Sequence, residues 1–267
     1  MSSRYDTMFA RLNEKQRVAW IPFVMLGFPT LEKSYEYIEL LIREGADALE
    51  IGIPFSDPVA DGTVIQNAAR IALEQGVTVA DCLALLGRIR SNYPETPMGL
   101  LLYANLVYKP GIDHFFKELG ELGVDSALIA DSPISEGARF AIPAKENNVA
   151  PVFIAPPNAT EQTIRNLVEL CEGYTYVVSR PGVTGNHVDV EYPMEVLNLL
   201  RELKAPPAVL GFGISQPEHV TNAVAAGFDG VISGTAVIRI MADTENDPVS
   251  ALTAFSRSMS AACQKLS

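Results

Sequence analysis

The chain alternates eight short strand-like runs with amphipathic helical stretches, and this alternation limits its possible folds more than any other feature. Such alternation is typical of parallel β/α architecture, in which each helix returns the chain to the start of the next strand. The predicted strands are residues 18–26, 46–53, 98–103, 124–130, 149–154, 174–179, 208–210 and 230–233. Eight such units in 267 residues match the size of an α/β protein of the (β/α)8 TIM-barrel class, and an eight-stranded open sheet is the alternative.

A weak internal repeat supports this scheme. The segments "GADALEI", "GVDSALI" and "GFDGVIS" begin at Gly45, Gly123 and Gly227. Each glycine ends a predicted helix just before a strand, a position that suits a left-handed helix C-cap. The repeat therefore predicts equivalent turns from helix to strand.

The uninterrupted series of predicted strands and helices indicates one domain. The longest interval, after the second strand, contains two helical stretches, 63–75 and 78–92. The residues "SQPE" at 215–218 predict a capping box at the start of the helix after the seventh strand. Because no linker or low-complexity segment interrupts the series, we expect a single domain over residues 1–267, with an extra helix before the first strand.

Composition limits the classes of function. With 48% hydrophobic and 19% charged residues, the chain can bury one sizeable core. Its formal charge of −12 repels nucleic acid and anionic membranes. The apolar runs are too short to span a bilayer and the first residues lack a signal-peptide core, so we expect a cytoplasmic protein. Cys82, Cys171 and Cys263 are widely spaced and without nearby histidine, which indicates reduced thiols.

Glu50 is the first candidate catalytic residue. It interrupts the apolar run "ADALEIGI", where a buried carboxylate is costly unless it is paired or used. Strand periodicity places Leu49 and Ile51 on one face and Glu50 on the other, pointing into the barrel near the carboxyl end of the strand. Pairing with a buried cation is the alternative, but the predicted inner positions of the other strands offer no obvious cation. An unpaired, partly desolvated carboxyl has a raised pKa and suits general acid/base chemistry.

The loop "PFSDPVADG" that follows supplies a second carboxyl group. It contains Asp57, which precedes a proline and is expected to be a turn residue, and Asp61, which returns to the barrel mouth. Asp61 either faces Glu50 across a ligand or is a turn residue or the N-cap of the helix that starts near Thr63. Two carboxyl groups in different environments can divide acid and base work.

Two glycine-rich segments at the other end of the chain predict a phosphate site. "GFGIS" at 211–215 follows the seventh strand, and "SGTAVIR" at 233–239 follows the eighth and enters a helix. Loops after these strands, with a helix N-terminus, form the usual barrel phosphate site, and simple tight turns are the alternative. Neither segment contains lysine, so backbone N–H groups would bind the anion, with Arg239 on the outer helix.

The whole chain resembles the tryptophan synthase α-subunit family. Motifs of that family occur in its order along the sequence, and the long acidic-loop motif is highly specific. They are "YDTMFARLN", "ADALEIGIPFSDPVADG", "QNA", "LLYANLV", "APPNA", "GYTYVVSRPGVTG", "GFGIS" and "VISGTAV".

The resemblance implies reversible retro-aldol cleavage of indole-3-glycerol phosphate to indole and glyceraldehyde 3-phosphate, in tryptophan biosynthesis. It implies that Glu50 and Asp61 are the catalytic carboxylates. The implied phosphate-binding residues are Gly185, Gly213, Gly234 and Thr235. The implied indole pocket consists of Phe23, Leu101, Leu128, Ile154 and Tyr176, for which packing in the core is the alternative.

The resemblance also implies a lid at residues 180–191, which begins at Arg180. Thr184 in this lid would hydrogen-bond Asp61 when the lid closes. Four residues depart from the usual family pattern: Val59, Thr63, Pro181 and Thr235. The threonine at 235 keeps the backbone N–H and the hydroxyl of the serine that is common there.

The implied partner is a tryptophan synthase β subunit, in an αββα complex through which indole passes to pyridoxal phosphate in that subunit. No cofactor is expected in this chain, and no metal, because His114, His187 and His219 lack metal-ligand spacing. A catalytically weak barrel that activates the β subunit, or a stand-alone indole-releasing lyase, are the alternative functions. A phosphate-handling epimerase or isomerase would need a catalytic lysine or metal ligands that the predicted strand ends lack.

Overall fold

The computed structural model describes residues 3–179, 192–243 and 245–265, which form a parallel β-barrel surrounded by helices. The strands are β1 Ala19–Met25, β2 Leu49–Gly52, β3 Met98–Leu102, β4 Ser126–Ile129, β5 Ala150–Pro151, β6 Phe153–Ala155, β7 Thr175–Val177, β8 Ala208–Leu210 and β9 Gly230–Ser233. The helices are α1 Arg4–Glu14, α2 Leu31–Arg43, α3 Thr63–Glu74, α4 Val79–Asn92, α5 Ala104–Tyr108, α6 Ile112–Glu121, α7 Gly137–Glu146, α8 Glu161–Leu170, α9 Met194–Glu202, α10 Pro217–Ala226, α11 Thr235–Ala242 and α12 Pro248–Ala261, with a 3-10 turn at Ile134–Glu136.

The sheet closes on itself through the segment that contains β5 and β6. Neighbouring strands follow the order β5-β4-β3-β2-β1-β9-β8-β7-β6, and every pair is parallel. Only Val152 separates β5 from β6, and its N–H donates to the carbonyl of Ala127 at 3.0 Å. β5 and β6, which stand at the two ends of this order, are therefore two parts of one barrel strand. The sheet is closed, which rules out an open sheet and confirms the (β/α)8 prediction. The predicted strand 149–154 is divided here, where Pro151 has no N–H to contribute to the ladder.

The predicted strand boundaries agree best where the strands are short. The predicted strands 208–210 and 230–233 coincide with β8 and β9. The predicted strand 46–53 is shortened to β2, because residues 44–48 form the turn that leaves α2.

The glycine repeat has the predicted backbone conformation. The φ angles of Gly45, Gly123 and Gly227 are +110°, +72° and +91°, all in the region that disfavours side chains. The aspartate two residues after each glycine has a role that the repeat did not predict. The carboxylates of Asp47, Asp125 and Asp229 accept hydrogen bonds from the backbone N–H groups of Trp20, Met98 and Ala208, at 3.1, 2.8 and 2.9 Å. Each aspartate thus links the residues just before its own strand to the preceding strand of the barrel, by a hydrogen bond.

The predicted capping box at 215–218 is wrong. The N-cap of α10 is Gln216, without a side-chain hydrogen bond to the helix. Pro217 occupies the first turn and has no N–H that would need a partner, which removes part of the reason for a cap. The N–H of Ser215 instead donates to Nδ1 of His219 at 3.3 Å.

Helix α1 confirms the predicted extra helix before the first strand, and it covers the amino-terminal end of the barrel. Its capping box joins Ser3 and Asp6. Tyr5 is buried, with its hydroxyl 3.0 Å from that of Ser126 inside the barrel, and Arg4 lies 2.9 Å from Asp125. The opposite, carboxyl-terminal end of the strands is the end where barrel active sites form.

The outer faces of the strands pack against the helices. Trp20 is fully buried and its ring contacts Phe255 of α12, with 6.2 Å between ring centroids. Cys82, Cys171 and Cys263 are free and buried. Among the helices that the structure describes, none is long and apolar enough to cross a membrane.

Candidate active site

Glu50 points into the barrel, as strand parity predicts. Its side chain lies on β2 and the residue is only 2% exposed. The hydroxyl of Tyr174, from the residue just before β7 on the other side of the barrel, donates to Oε1 of Glu50 at 3.4 Å. Leu49 and Ile51 are fully buried on the other face of the strand.

The environment of Glu50 favours its protonated form. Burial raises the pKa of Glu50 to about 8, the nearby Asp61 adds to the rise, and the hydrogen bond from Tyr174 opposes it. No lysine or arginine in the described ranges pairs with this carboxyl group. The group therefore exchanges protons near neutral pH, which is the property of a general acid/base.

Asp61 is a buried loop residue, and it is not a helix cap. It is 5% exposed, and its Oδ2 accepts a hydrogen bond from the hydroxyl of Tyr103 at 2.8 Å. The N-cap of α3 is Gly62, so the N-cap role considered for Asp61 is ruled out. Burial raises the pKa of Asp61 to about 6, against the lowering effect of the hydrogen bond from Tyr103.

The loop around Asp61 is held by several contacts. The backbone N–H of Ala60 donates to the Tyr103 hydroxyl at 3.2 Å, and the rings of Phe55 and Tyr103 stack with 5.2 Å between centroids. From α3, Nε2 of Gln66 donates to the carbonyl of Asp61 at 2.8 Å. Asp57 is exposed and its carbonyl accepts the N–H of Val59, which fits the turn role predicted for it.

The predicted phosphate residues that the structure describes lie at the ends of two neighbouring strands. Gly213 follows β8 and has a φ of +77°. Gly234 follows β9 as the N-cap of α11, and Thr235 is the first residue of that helix. Arg239 lies on α11 and is exposed, as predicted.

The five predicted indole-pocket residues share the inward face of the barrel. They are Phe23 on β1, Leu101 on β3, Leu128 on β4, Ile154 on β6 and Tyr176 on β7. Phe23 pairs with Glu50, Leu101 with Leu128 and Ile154 with Tyr176 in the strand register.

Two of these side chains keep accessible surface. Leu101 and Ile154 are partly exposed although they lie inside the barrel, whereas the other three are buried. The hydroxyl of Tyr176 donates to the carbonyl of Gly211 at 2.8 Å. Burial raises the pKa of Tyr176, and the charges of Glu50 and Asp61 add to the rise.

The predicted lid residues Arg180, Thr184 and Gly185, with Pro181 and His187, lie outside the described residues. Of the departures from the family pattern, Val59 is 69% exposed and Thr63 starts α3. His114 is exposed.

Two tyrosines at the site were missed by the sequence analysis. Tyr103 follows β3 and contacts Asp61, and Tyr174 precedes β7 and contacts Glu50. Their one signal in the sequence is position, because each lies at an end of a predicted strand.

The fold and the carboxyl groups together define the class. A (β/α)8 barrel with two buried carboxyl groups of raised pKa, one on a strand and one in the loop after it, has the features typical of a barrel enzyme that uses acid/base chemistry.

A family model described as tryptophan synthase alpha chain matches residues 9–265. The chain is 48% identical to the tryptophan synthase alpha chain of Vibrio parahaemolyticus, over 98% of this chain and 100% of that one. It is 50% identical to that of Erwinia tasmaniensis, over 97% of this chain and 98% of the relative. The chain belongs to the tryptophan synthase alpha chain family.

Solved structures agree with this assignment. Tryptophan synthase subunit alpha from Legionella pneumophila has a TM-score of 0.87 at 27% identity, with 100% of both chains covered. A chain of Mycobacterium tuberculosis tryptophan synthase has a TM-score of 0.89 at 26% identity, with 99% of both chains covered. The resemblance inferred from the motifs is confirmed, and the protein is a lyase of tryptophan biosynthesis.

Proposed function

We propose that this chain cleaves indole-3-glycerol phosphate to indole and glyceraldehyde 3-phosphate with Glu50 and Asp61 as its two catalytic groups. The observation that carries this assignment is the pair of buried carboxyl groups with pKa values of about 8 and about 6. Family membership supports the reaction, and burial together with the lack of a pairing cation among the described residues supports the roles.

The reaction needs a proton at one carbon and the loss of a proton from one oxygen. Protonation of indole C3 makes the bond to the glycerol chain breakable, and the neighbouring carbinol hydroxyl loses its proton as the carbon–carbon bond breaks. Glu50, whose raised pKa keeps it largely protonated at neutral pH, donates the first proton. Its carboxylate then accepts the proton of the hydroxyl, so that Glu50 ends the cycle as it began.

Asp61 acts on the indole nitrogen. Protonation at C3 places positive charge on this nitrogen, and an ionised carboxylate stabilises the charge, or accepts the N–H proton and returns it to the nitrogen as the carbon–carbon bond breaks. With a pKa of about 6, Asp61 is ionised at neutral pH while Glu50 is protonated. The two environments therefore divide acid and base work between the residues.

The substrate is held at its two ends. Phe23, Leu101, Leu128, Ile154 and Tyr176 contact the indole ring. Gly213, Gly234 and Thr235, with Gly185 from the lid, bind the phosphate through backbone N–H groups and the hydroxyl. Support comes from the position of Thr235 at the start of α11, next to the end of β8. Arg180 and Thr184 belong to the lid, and Thr184 orients Asp61 on closure.

The family's name implies a second subunit. We infer an αββα complex in which indole passes from this chain to the pyridoxal phosphate of the β subunit, so that this chain itself needs no cofactor. The active unit is one barrel domain over residues 1–267, working in the cytoplasm. A negative net charge leaves the surface unsuited to nucleic acid and to anionic membranes.

The test supplies indole-3-glycerol phosphate to the purified chain, with and without a tryptophan synthase β subunit, and follows indole and glyceraldehyde 3-phosphate. We expect both products in equal amounts, and faster turnover with the β subunit. If this chain formed no indole or glyceraldehyde 3-phosphate and only activated the β subunit, the alternative of an activating partner would be supported. Full turnover that the β subunit does not change would support a stand-alone lyase.

A further inference from the structure

The Tyr103 hydroxyl has a directed hydrogen bond. The backbone N–H of Ala60 donates to this oxygen at 3.2 Å, so the oxygen acts as an acceptor on that side. Its own proton points to Oδ2 of Asp61, at 2.8 Å. A hydroxyl donates one hydrogen, and here that hydrogen is committed to the carboxylate.

The ring of Tyr103 is held rigidly beneath the acidic loop. The residue is 3% exposed, and its ring stacks on Phe55 with an interplanar angle of 20°. The N–H of Ala104, the next residue, donates to Oδ1 of Asp131 at 2.8 Å. The hydroxyl therefore reaches Asp61 from a fixed position at the end of β3.

We propose that Tyr103 is the positioning residue for Asp61, and that its hydroxyl orients the carboxylate and holds it in the ionised form that the reaction uses. This inference rests on the proposed role of Asp61 as the group that acts on the indole nitrogen. Tyr103 does not exchange a proton with the substrate and acts only through Asp61.

The buried surroundings of Asp61 give this hydrogen bond its importance. Glu50 and Tyr176 face it inside the barrel, and Asp131 lies near Tyr103. At neutral pH Glu50 is largely protonated and burial keeps the phenol of Tyr176 neutral, and no cation among the described residues acts on Asp61. Donation by the hydroxyl is thus the interaction that favours the ionised form against burial.

The first test compares Tyr103→Phe with the parent over a range of pH. The variant keeps the ring and its stacking on Phe55 but removes the hydroxyl, and with it both the donation to Asp61 and the acceptor of the Ala60 N–H. We expect kcat to fall roughly ten- to a hundredfold, as when a hydrogen bond to a charged group is lost, with little change in KM. The acid limb of the pH–kcat profile should move to higher pH, because Asp61 then ionises less readily. Tyr93→Phe is the control, because its hydroxyl likewise donates to a carboxylate, Oε1 of Glu39 at 3.2 Å on the outer helix α2, and contacts neither carboxyl group of the site.

A second variant keeps the hydroxyl and strengthens its donation. Tyr103→3-fluorotyrosine contains a more acidic phenol, so the acid limb should move to lower pH, opposite to the phenylalanine variant. This substitution preserves the contacts of the ring and serves even if Tyr103→Phe does not fold. An acid limb that stays where it is in the fluorotyrosine variant would overturn the proposal.

A double variant separates this inference from the proposed function. In an Asp61→Asn background, Tyr103→Phe should cause no further loss of kcat, since Tyr103 acts through Asp61. If Tyr103→Phe lowered kcat in that background as much as it does in the parent, the positioning role of Tyr103 would be overturned and the proposed role of Asp61 would stand. Full turnover of Asp61→Asn alone would overturn the role of Asp61, and with it this inference.

Discussion

The hydroxyl of Tyr174 lies 3.4 Å from Oε1 of Glu50, although the two residues are 124 positions apart in the chain. Closure of the barrel brings them together across its interior. The ring of Tyr174 also packs against Tyr5 of α1, with 5.5 Å between centroids. The rings of Tyr174 and Tyr5 thereby enclose Glu50 on the side of α1. The resulting burial raises the pKa of Glu50 more than the hydrogen bond from Tyr174 lowers it.

Replacement of the acid by its amide tests the central assignment. We expect Glu50→Gln to fold normally and to lose turnover by roughly 10²–10⁴-fold, because glutamine keeps the shape and cannot transfer protons. This corresponds to about 3–5 kcal/mol of transition-state stabilisation. Indole release under saturating substrate is the measurement, and near-parental turnover would mean that Glu50 is not the acid.

The same variant should change how stability depends on pH. Because the folded-state pKa of Glu50 is raised from 4.5 to about 8, its contribution to stability is fully present below about pH 4.5 and is lost as pH rises through about 8. Glu50→Gln removes this loss. The variant should therefore gain stability relative to the parent between about pH 5 and pH 8, by up to about 1.4 kcal/mol per pH unit. Urea unfolding at pH 5, 7 and 9 is the measurement, and a constant difference between the two proteins would contradict it.

The phosphate site is best tested at Gly234. A Cβ added there would lie 3.7 Å from its nearest neighbours, Ile65 and Phe23, so Gly234→Val should fold. Its methyl groups should keep a phosphate from the N–H groups at the start of α11 and weaken glycerol phosphate binding at least tenfold, or about 1.4 kcal/mol. Indole binding should weaken less. Gly213→Val is a poorer probe, because the φ of +77° adds backbone strain.

Calorimetry with glycerol phosphate measures this effect. Gly87→Ala, on the outer helix α4, is the matched control and should bind like the parent. If Gly234→Val bound glycerol phosphate with parental affinity, the phosphate site would not lie at the start of α11.

The aspartates of the glycine repeat should differ in their contribution to stability. Asp125 lies 2.6 Å from Arg90 and 2.9 Å from Arg4, so Asp125→Asn leaves the half-buried Arg90 unpaired and should cost roughly 3 kcal/mol. Asp229→Asn keeps an oxygen that can accept the N–H of Ala208 and should cost about 1 kcal/mol. Chemical unfolding measures both, and equal losses would show that the ion pairs of Asp125 add nothing.

Local pattern was enough to predict much of the architecture. The sequence by itself determined the alternation of strands and helices, the left-handed glycines at 45, 123 and 227, and the inward face that contains Glu50, because each depends on neighbours only a few residues away. The motifs, taken together, also determined the family.

Only the tertiary structure decided which groups meet inside the barrel. Tyr103 reaches Asp61 from 42 positions away, and Tyr174 reaches Glu50 from 124. The division of the fifth barrel strand at Val152 and the bonds of the three repeat aspartates to neighbouring strands were likewise not visible in the sequence. The pKa values of Glu50 and Asp61 depend on desolvation, which the closed barrel and the loop that contains Asp61 produce together. Desolvation depends on side chains that are distant in sequence and surround the group only in the folded barrel, so no short segment of the chain predicts it.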